Sequence, residues 1–397
     1  MSQSASGAGP ALALYASVGP DLIHYDVDVD AATLTQRGTV TLPANVQYVW
    51  PHANRRFLYA ATSNGASGVG GPAGDRHDVS AIAVDPATRA LSLHGAPVAL
   101  PSRPIHMATD VPSEYILVAF NNPGAARIYR VNLDGSAGPE VVPPAPVDPG
   151  IFPHQILATP DNRLVLVPAR GHDATRTAAE EPGALKVFRF AEGRLTPLES
   201  PAPGGGYGFG PRHLDFHPTK PWIYVSLERQ NAVDMFERTG DHIAPMPRFR
   251  ENTMAGPPRP GIRQVVGTVR VHPNGRTLYV ANRASDTVRV DGRGLFAGGE
   301  NSIAVFEIDQ ATGRPRIVQH ADTHGIHPRT FSIDPSGRMM VVAHIMGHDV
   351  LTGDAVRRVP TRLSVFRIRD DGRLDFARAY DIDAGSRLMW WMGFVGF

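Results

Sequence analysis

The chain predicts an all-β fold: a seven-bladed propeller of four-stranded blades, its ring closed by pairing of the N- and C-terminal strands. Three observations carry that expectation. A strand–turn–strand phrase recurs along the chain, each copy is followed by a third alternating strand, and the two ends hold complementary halves of one further unit. A pair of β-sandwiches, the rival architecture, does not account for split terminal halves.

The recurring phrase is an apolar strand, a short turn holding Pro, Asp, Asn or Gly, then a second strand of Leu-Tyr-Val character. It occupies residues 48–59, 106–118, 156–167, 214–225, 269–280 and 331–342. Continuous apolar runs bounded by turn residues read as buried strands. Third strands with alternating pattern follow, as at residues 186–190, 303–308 and 363–368, and a weaker fourth closes each unit. A bare second strand stands at residues 12–16 and a bare first strand at 388–393. Joined, they make a seventh unit, so 397 residues divide into about 57 per blade. The chain therefore reads as a single propeller domain over residues 1–397, residues 1–10 forming a flexible tail.

In such a blade, starts of first strands and ends of second strands ring one mouth of the central channel. Six residues before the turn proline lies the start of the innermost strand, and by that register the blades contribute Gln47, Ile105, His154, Arg212, Gly267, Arg329 and, in the seventh unit, Arg387. Three residues past each second strand lie Gly19, Ser63, Asn121, Arg170, Glu228, Arg283 and Ile345. The expectation is that His154, Arg170, Arg212, Glu228, Arg283 and Arg329 converge, with Gln47 and His344 completing the lining. A single Arg or Glu at a strand end is ordinarily just solvated or paired. Four arginines and a histidine around one carboxylate form a cationic funnel instead. His213, next to Arg212, should point the other way, into the blade.

Composition narrows the partners. Basic and acidic residues number 39 and 38, so no basic excess marks a nucleic-acid surface. Only Lys186 and Lys220 are lysines, both at surface-like positions, which leaves little for Schiff-base chemistry. Arginine suits bidentate recognition of carboxylate or phosphate, pointing to a small anionic molecule. With no cysteine, disulfides, thiolate nucleophiles and cysteine-based metal sites are excluded. The apolar run at residues 11–16 is too short for a signal segment, and residues 388–397 make about half a membrane span. The chain reads as soluble and cytoplasmic, without a membrane partner.

Long loops follow the second strands at residues 171–183, 284–301 and 345–361, and two carry Gly-His-Asp, at 171–173 and 347–349. Loops on a rigid scaffold often carry function, though a repeated turn motif explains the copies equally well. His320, His324, His327, His344 and His348 crowd one unit beside Asp349, but the stretch reads as a loop entering a strand, without ligand spacing. No Gly-x-Ser-x-Gly elbow or phosphate loop occurs, and the glycine-rich residues 204–210 precede a strand rather than a helix. No metal and no cofactor is expected.

Residues 210–218 with 222–228, 278–283 and 327–337 resemble the seven-bladed propeller lactonase family. That family holds propeller-type 6-phosphogluconolactonases and 3-carboxy-cis,cis-muconate cyclising enzymes. The resemblance covers most of the chain and is most specific from His154 to Asp334. It implies a site of a His, a Glu and arginines, and His154, Arg212, Glu228 and Arg283 fall on those positions. In the last unit the family commonly has Asn-Gln and a short turn. This chain has Ala343-His344 and a long loop with Arg357, Arg358 and Arg362, which implies a reshaped pocket.

The implied reaction is hydrolysis of the lactone of an anionic sugar acid or dicarboxylic acid. Arg212, Arg283 and Arg329 would bind the anion or the developing oxyanion. Arginines should depress the Glu228 pKa and leave a weak base, so His154 is the expected base. Glu228 would orient it or handle the leaving alkoxide's proton. The first alternative is a cycloisomerase closing a muconate-type dicarboxylate. The second is a non-catalytic binding platform.

Overall fold

The structure, a computed structural model, describes residues 12–66 and 71–397; the expected tail at residues 1–10 lies outside them. Among the described residues the one helical element is the 3-10 turn Pro203–Gly206, within the glycine-rich stretch. Everything else regular is strand.

The first blade shows the plan. Asn45–Pro51, Phe57–Ser63, His77–Val84 and Leu91–Ala99 pair antiparallel in chain order. The second strand is buried almost throughout, whereas Leu91–Ala99 is largely exposed. An inner strand has neighbouring sheets on both faces, so it needs apolar residues at every position, and this is why it reads as a continuous run. Five more blades repeat the pattern, opening with Pro104–Thr109, Leu157–Ala158, Pro211–Phe216, Gln264–Val271 and Pro328–Ile333.

The remaining blade is drawn from both ends, with Met392–Gly396, Leu12–Val18, Asp21–Asp28 and Thr33–Thr41 side by side. Leu12 stands opposite Gly396 and Ala16 opposite Met392. The last strand starts four residues later than its apolar pattern suggests. Residues 388–391 approach it as an irregular lead, with Gly19 N–H bonded to the Leu388 carbonyl and Ser17 N–H to that of Trp391.

Innermost strands lie against one another from blade to blade. Asn45–Pro51 packs on Pro104–Thr109, Pro211–Phe216 on Gln264–Val271, that strand on Pro328–Ile333, and the latter on Met392–Gly396. The recurring second-strand tyrosine fastens blades together. Tyr15, Tyr59, Tyr224 and Tyr279 donate their hydroxyls to the carbonyls of Arg89, Gly135, Gly313 and Gly372 at 2.8–3.0 Å. Each acceptor sits in a turn of the following blade, so a buried phenol finds its partner across the blade boundary. His217 and His272, from the His-Pro turns, add bonds of 2.8 Å to the Gly275 and Gly337 carbonyls.

Two of the long loops build an eighth sheet that the sequence pattern did not reveal. Thr287–Val290 and Arg293–Phe296 form one hairpin, His348–Thr352 and Ala355–Val359 another. Leu295 and Asp349 join them in parallel.

Candidate active site

The mouth of the channel is shaped by a break in register at the head of the innermost strands. Val46 faces Thr62 and Tyr48 faces Ala61, which leaves Gln47 as the extra residue of a bulge. The same happens at Ile105, Arg212 and Arg329, while Gly267 and Thr268 together face Ala281. These are the positions that counting back from the turn proline selects. A bulge bends and twists its strand and re-aims the side chains beside it. That corrects the expectation for His213. Strict alternation sends it into the blade, but beyond the bulge its ring centroid lies 5.2 Å from that of His154 and 5.9 Å from that of His106.

Glu228 follows the second strand Trp222–Leu227 and is 5 % exposed. Three guanidiniums meet its carboxylate. Arg170 donates through Nη1 to Oε2 at 2.8 Å, and Arg283 donates through Nη2 to Oε1. Arg212 brings Nε to 3.2 Å of Oε1, an ion pair too poorly aligned for a hydrogen bond. Burial alone would raise the Glu228 pKa, but Arg283, Arg212 and Arg170 outweigh it and hold the carboxyl at about 2. The group is a fixed counter-charge at neutral pH. Its bonds go to the guanidiniums, and none goes to His154.

Arg283 also donates through Nη1 to Nε2 of His327 at 2.8 Å, which makes that nitrogen an acceptor. Gly267 leaves room for the Arg283 side chain, since a Cβ there would stand 3.3 Å from Nε. Arg212 is 1 % exposed; burial first, then Arg283, lowers its pKa to about 9, still cationic at neutral pH. His154 is buried, its Nδ1 without a partner. Burial, reinforced by Arg212, Arg329, Arg170 and Arg283, pushes its pKa well below the ordinary imidazole value, so it is neutral. The guanidinium of Arg329 lies 4.5 Å from the Trp390 ring centroid.

The structure thus gathers Arg170, Arg212, Glu228 and Arg283 in direct contact, with His154 and Arg329 in their electrostatic neighbourhood. Gln47 is buried at its bulge, bonded through Nε2 to the Asn45 carbonyl. His344 is set apart: fully buried against Gly325, it shares a 3.1 Å hydrogen bond between Nδ1 and the Arg362 carbonyl. Arg387 turns outward to Asp21, at 2.7 Å. Trp390 takes its place in the seventh blade. Sequence reasoning missed Trp390, hidden in an apparent strand, and Arg103, which stands two residues before the Ile105 bulge. It also gave His327 no role at the site.

The two Gly-His-Asp copies act as fasteners. His172 pairs with Glu181 at 2.6 Å and Asp173 with Arg229 at 2.8 Å; in the eighth sheet Asp349 pairs with Arg358 at 3.0 Å. The crowded histidines each go separate ways, His320 to the Thr253 carbonyl and His324 onto the Phe376 ring. Among the described residues no group of three or more His, Asp or Glu could hold a metal ion. Nor is any helix there long and apolar enough to cross a membrane.

Chemically, the site is a buried surplus of positive charge. Arg170 Nε, Arg212 Nη1 and Arg283 Nε have no hydrogen-bond partner. Charge-assisted donors of this kind select a carboxylate, a phosphate or a developing oxyanion.

Comparison with known proteins agrees with the fold. The family described as lactonase, 7-bladed beta-propeller, matches residues 14–352. The 6-phosphogluconolactonase of Bacillus subtilis is 27 % identical over 340 residues, 83 % of this chain and 86 % of that protein. That of Cronobacter sakazakii is 26 % identical over 329 residues, 80 % and 83 % of the two chains. Among solved structures, the periplasmic gluconolactonase of Pseudomonas aeruginosa superposes with a TM-score of 0.69. It is 19 % identical, with 97 % of this chain and 99 % of that one covered, a likeness of fold.

Proposed function

The chain belongs to the seven-bladed β-propeller lactonase family of lactone hydrolases, and we propose that it opens the lactone of an anionic sugar acid at the arginine-lined mouth. One observation carries this reading: three buried guanidiniums meet at the carboxylate of Glu228, with only Asp173, 3.7 Å from Arg170, as a further counter-charge among the described residues, and keep unpartnered N–H groups. Such a surplus is relieved by an anionic substrate.

In the proposed reaction a water attacks the lactone carbonyl while His154 takes its proton. Arg212, whose Nη1 has no partner, stabilises the tetrahedral oxyanion. Collapse breaks the ring C–O bond, and the imidazolium returns the proton to the leaving alkoxide. The substrate's own negative charge offsets the arginines and raises the His154 pKa toward the range where a base works best. Glu228, ionised and a weak base, sets the guanidiniums. Pairing of Leu12–Val18 with Met392–Gly396 would close the ring, so that the blades act as one rigid frame around the mouth.

The test is proton release in a pH-stat over a panel of lactones, from gluconate, 6-phosphogluconate and muconate. The reading expects catalysis above the spontaneous rate on the anionic sugar-acid lactone. No proton release on any lactone, with loss of the conjugated ultraviolet absorbance of a muconate, would overturn it in favour of cyclisation.

A further inference from the structure

Trp390 has two arginines within cation–π reach, and among the described residues neither has an ion pair. The Arg329 guanidinium is 4.5 Å from its ring centroid and that of Arg103 is 5.6 Å. All three residues stand at or just before the heads of innermost strands, Arg103 before Pro104–Thr109, Arg329 in Pro328–Ile333 and Trp390 before Met392–Gly396. They therefore share the mouth with the Glu228 cluster.

Arg103 is 8 % exposed and its Nε is buried without a hydrogen-bond partner. The carboxylate of Glu228 is taken by Arg170, Arg212 and Arg283, and among the described residues neither Arg103 nor Arg329 has an ion pair. Arg103 is buried and Arg329 half-buried, and one indole within cation–π reach of both compensates their charge only in part. Buried charge without a counter-ion is costly, and a ligand that brings the counter-ion removes that cost.

The geometry points to a second anion subsite, made by Arg103, Trp390 and Arg329, that holds the distal phosphate or carboxylate of the substrate. The cluster around Glu228 then remains free for the reacting carbonyl. Arg329 connects the two lobes: burial, then Arg212, Arg283 and Arg103, depress its pKa, and Glu228 raises it. The substrate class follows from a second cationic group that does not pair with Glu228: a lactone whose anionic group is distinct from the ester. This rests on the lactonase reading for the reaction, but not for the anion binding itself.

The experiment has two arms. Calorimetric titration with inorganic phosphate, and separately with succinate, compares the wild-type chain with Arg103→Gln and Arg103→Lys. The subsite predicts at least tenfold weaker binding of the preferred anion in Arg103→Gln, with Arg103→Lys in between because it keeps the charge but loses the fork. Whichever anion binds more tightly identifies the group. In the kinetic arm, the ratio of kcat/KM for 6-phosphogluconolactone over gluconolactone should fall at least tenfold in Arg103→Gln. Unaltered anion binding in a variant with wild-type circular dichroism would overturn the subsite. So would an equal loss on both lactones. Should the wild-type chain hydrolyse neither lactone yet lose phosphate or succinate binding on Arg103→Gln, the subsite stands and the lactonase reading fails. If Arg103→Gln does not fold, Trp390→Leu carries the same comparison.

Discussion

Arg170 and Glu228 belong to adjacent blades, yet Nη1 of the one donates to Oε2 of the other at 2.8 Å, both side chains buried. Fifty-eight residues of chain separate them. Their meeting depends on each following a second strand, in blades that the frame holds side by side. The same carboxylate meets Arg283 from the next blade. One glutamate therefore ties three blades together at the mouth and partly neutralises the charge it gathers.

Glu228→Gln removes that counter-charge and leaves three buried guanidiniums facing a neutral amide. Breaking a buried pair costs about 3–5 kcal/mol, so the urea midpoint should fall by a corresponding amount. Added phosphate should recover part of the loss by replacing the missing anion. A variant as stable as wild type, and indifferent to phosphate, would show that the carboxylate does not hold the arginines.

His154→Asn removes the proposed base. General-base catalysis contributes roughly 10²–10⁴-fold, so kcat should drop by that order while KM changes only a few-fold. An effect confined to KM would assign His154 to binding.

Acid should destabilise the protein in two stages. His154, His213 and His327 have folded pKa values well below the ordinary 6.5, because burial first and the arginines second disfavour the imidazolium. The unfolded chain binds protons near pH 6.5 that the folded chain refuses, so stability present above that pH is lost as pH falls below it. Glu228, at about 2 against an ordinary 4.5, adds on the order of 3 kcal/mol above pH 4.5 that is lost as pH falls toward 2. Urea unfolding between pH 8 and 4 should show stability declining from near pH 6.5. A flat profile down to pH 5 would contradict the neutral, buried histidines.

Gly267→Val fills the space beside Arg283. The Cβ would stand 3.3 Å from Nε, and the added methyls would push the guanidinium away from Glu228 and His327. Overpacking of this kind costs about 1–3 kcal/mol, and a displaced anion-binding group should raise KM at least tenfold. An unchanged KM with wild-type stability would mean that Arg283 does not need this position.

The blades were legible because turn residues punctuate them and because inner strands, packed on both faces, read as unbroken apolar runs. The mouth was legible for the same reason. The distance from turn proline back to Arg212 or Arg329 is a repeating register, and that register coincides with the bulge. What the bulge does to its neighbour was not legible, since alternation sends His213 the wrong way. Arg387 failed for a related cause: the lead into the last strand is irregular, so counting from the other blades does not carry over, and Trp390 reaches the mouth instead. The eighth sheet escaped notice because its strands are only four or five residues long. One parallel pair, Leu295 with Asp349, holds its hairpins together, and local patterning does not encode such a contact.

The most direct test of the central claim is proton release from 6-phosphogluconolactone by the wild-type chain and by Arg212→Gln, each verified as folded by circular dichroism. Catalysis by the wild type well above spontaneous opening, reduced on the order of a hundredfold in the variant, is the predicted result. A wild-type rate equal to the spontaneous one, or a variant that matches the wild type, would contradict hydrolysis at the arginine-lined mouth.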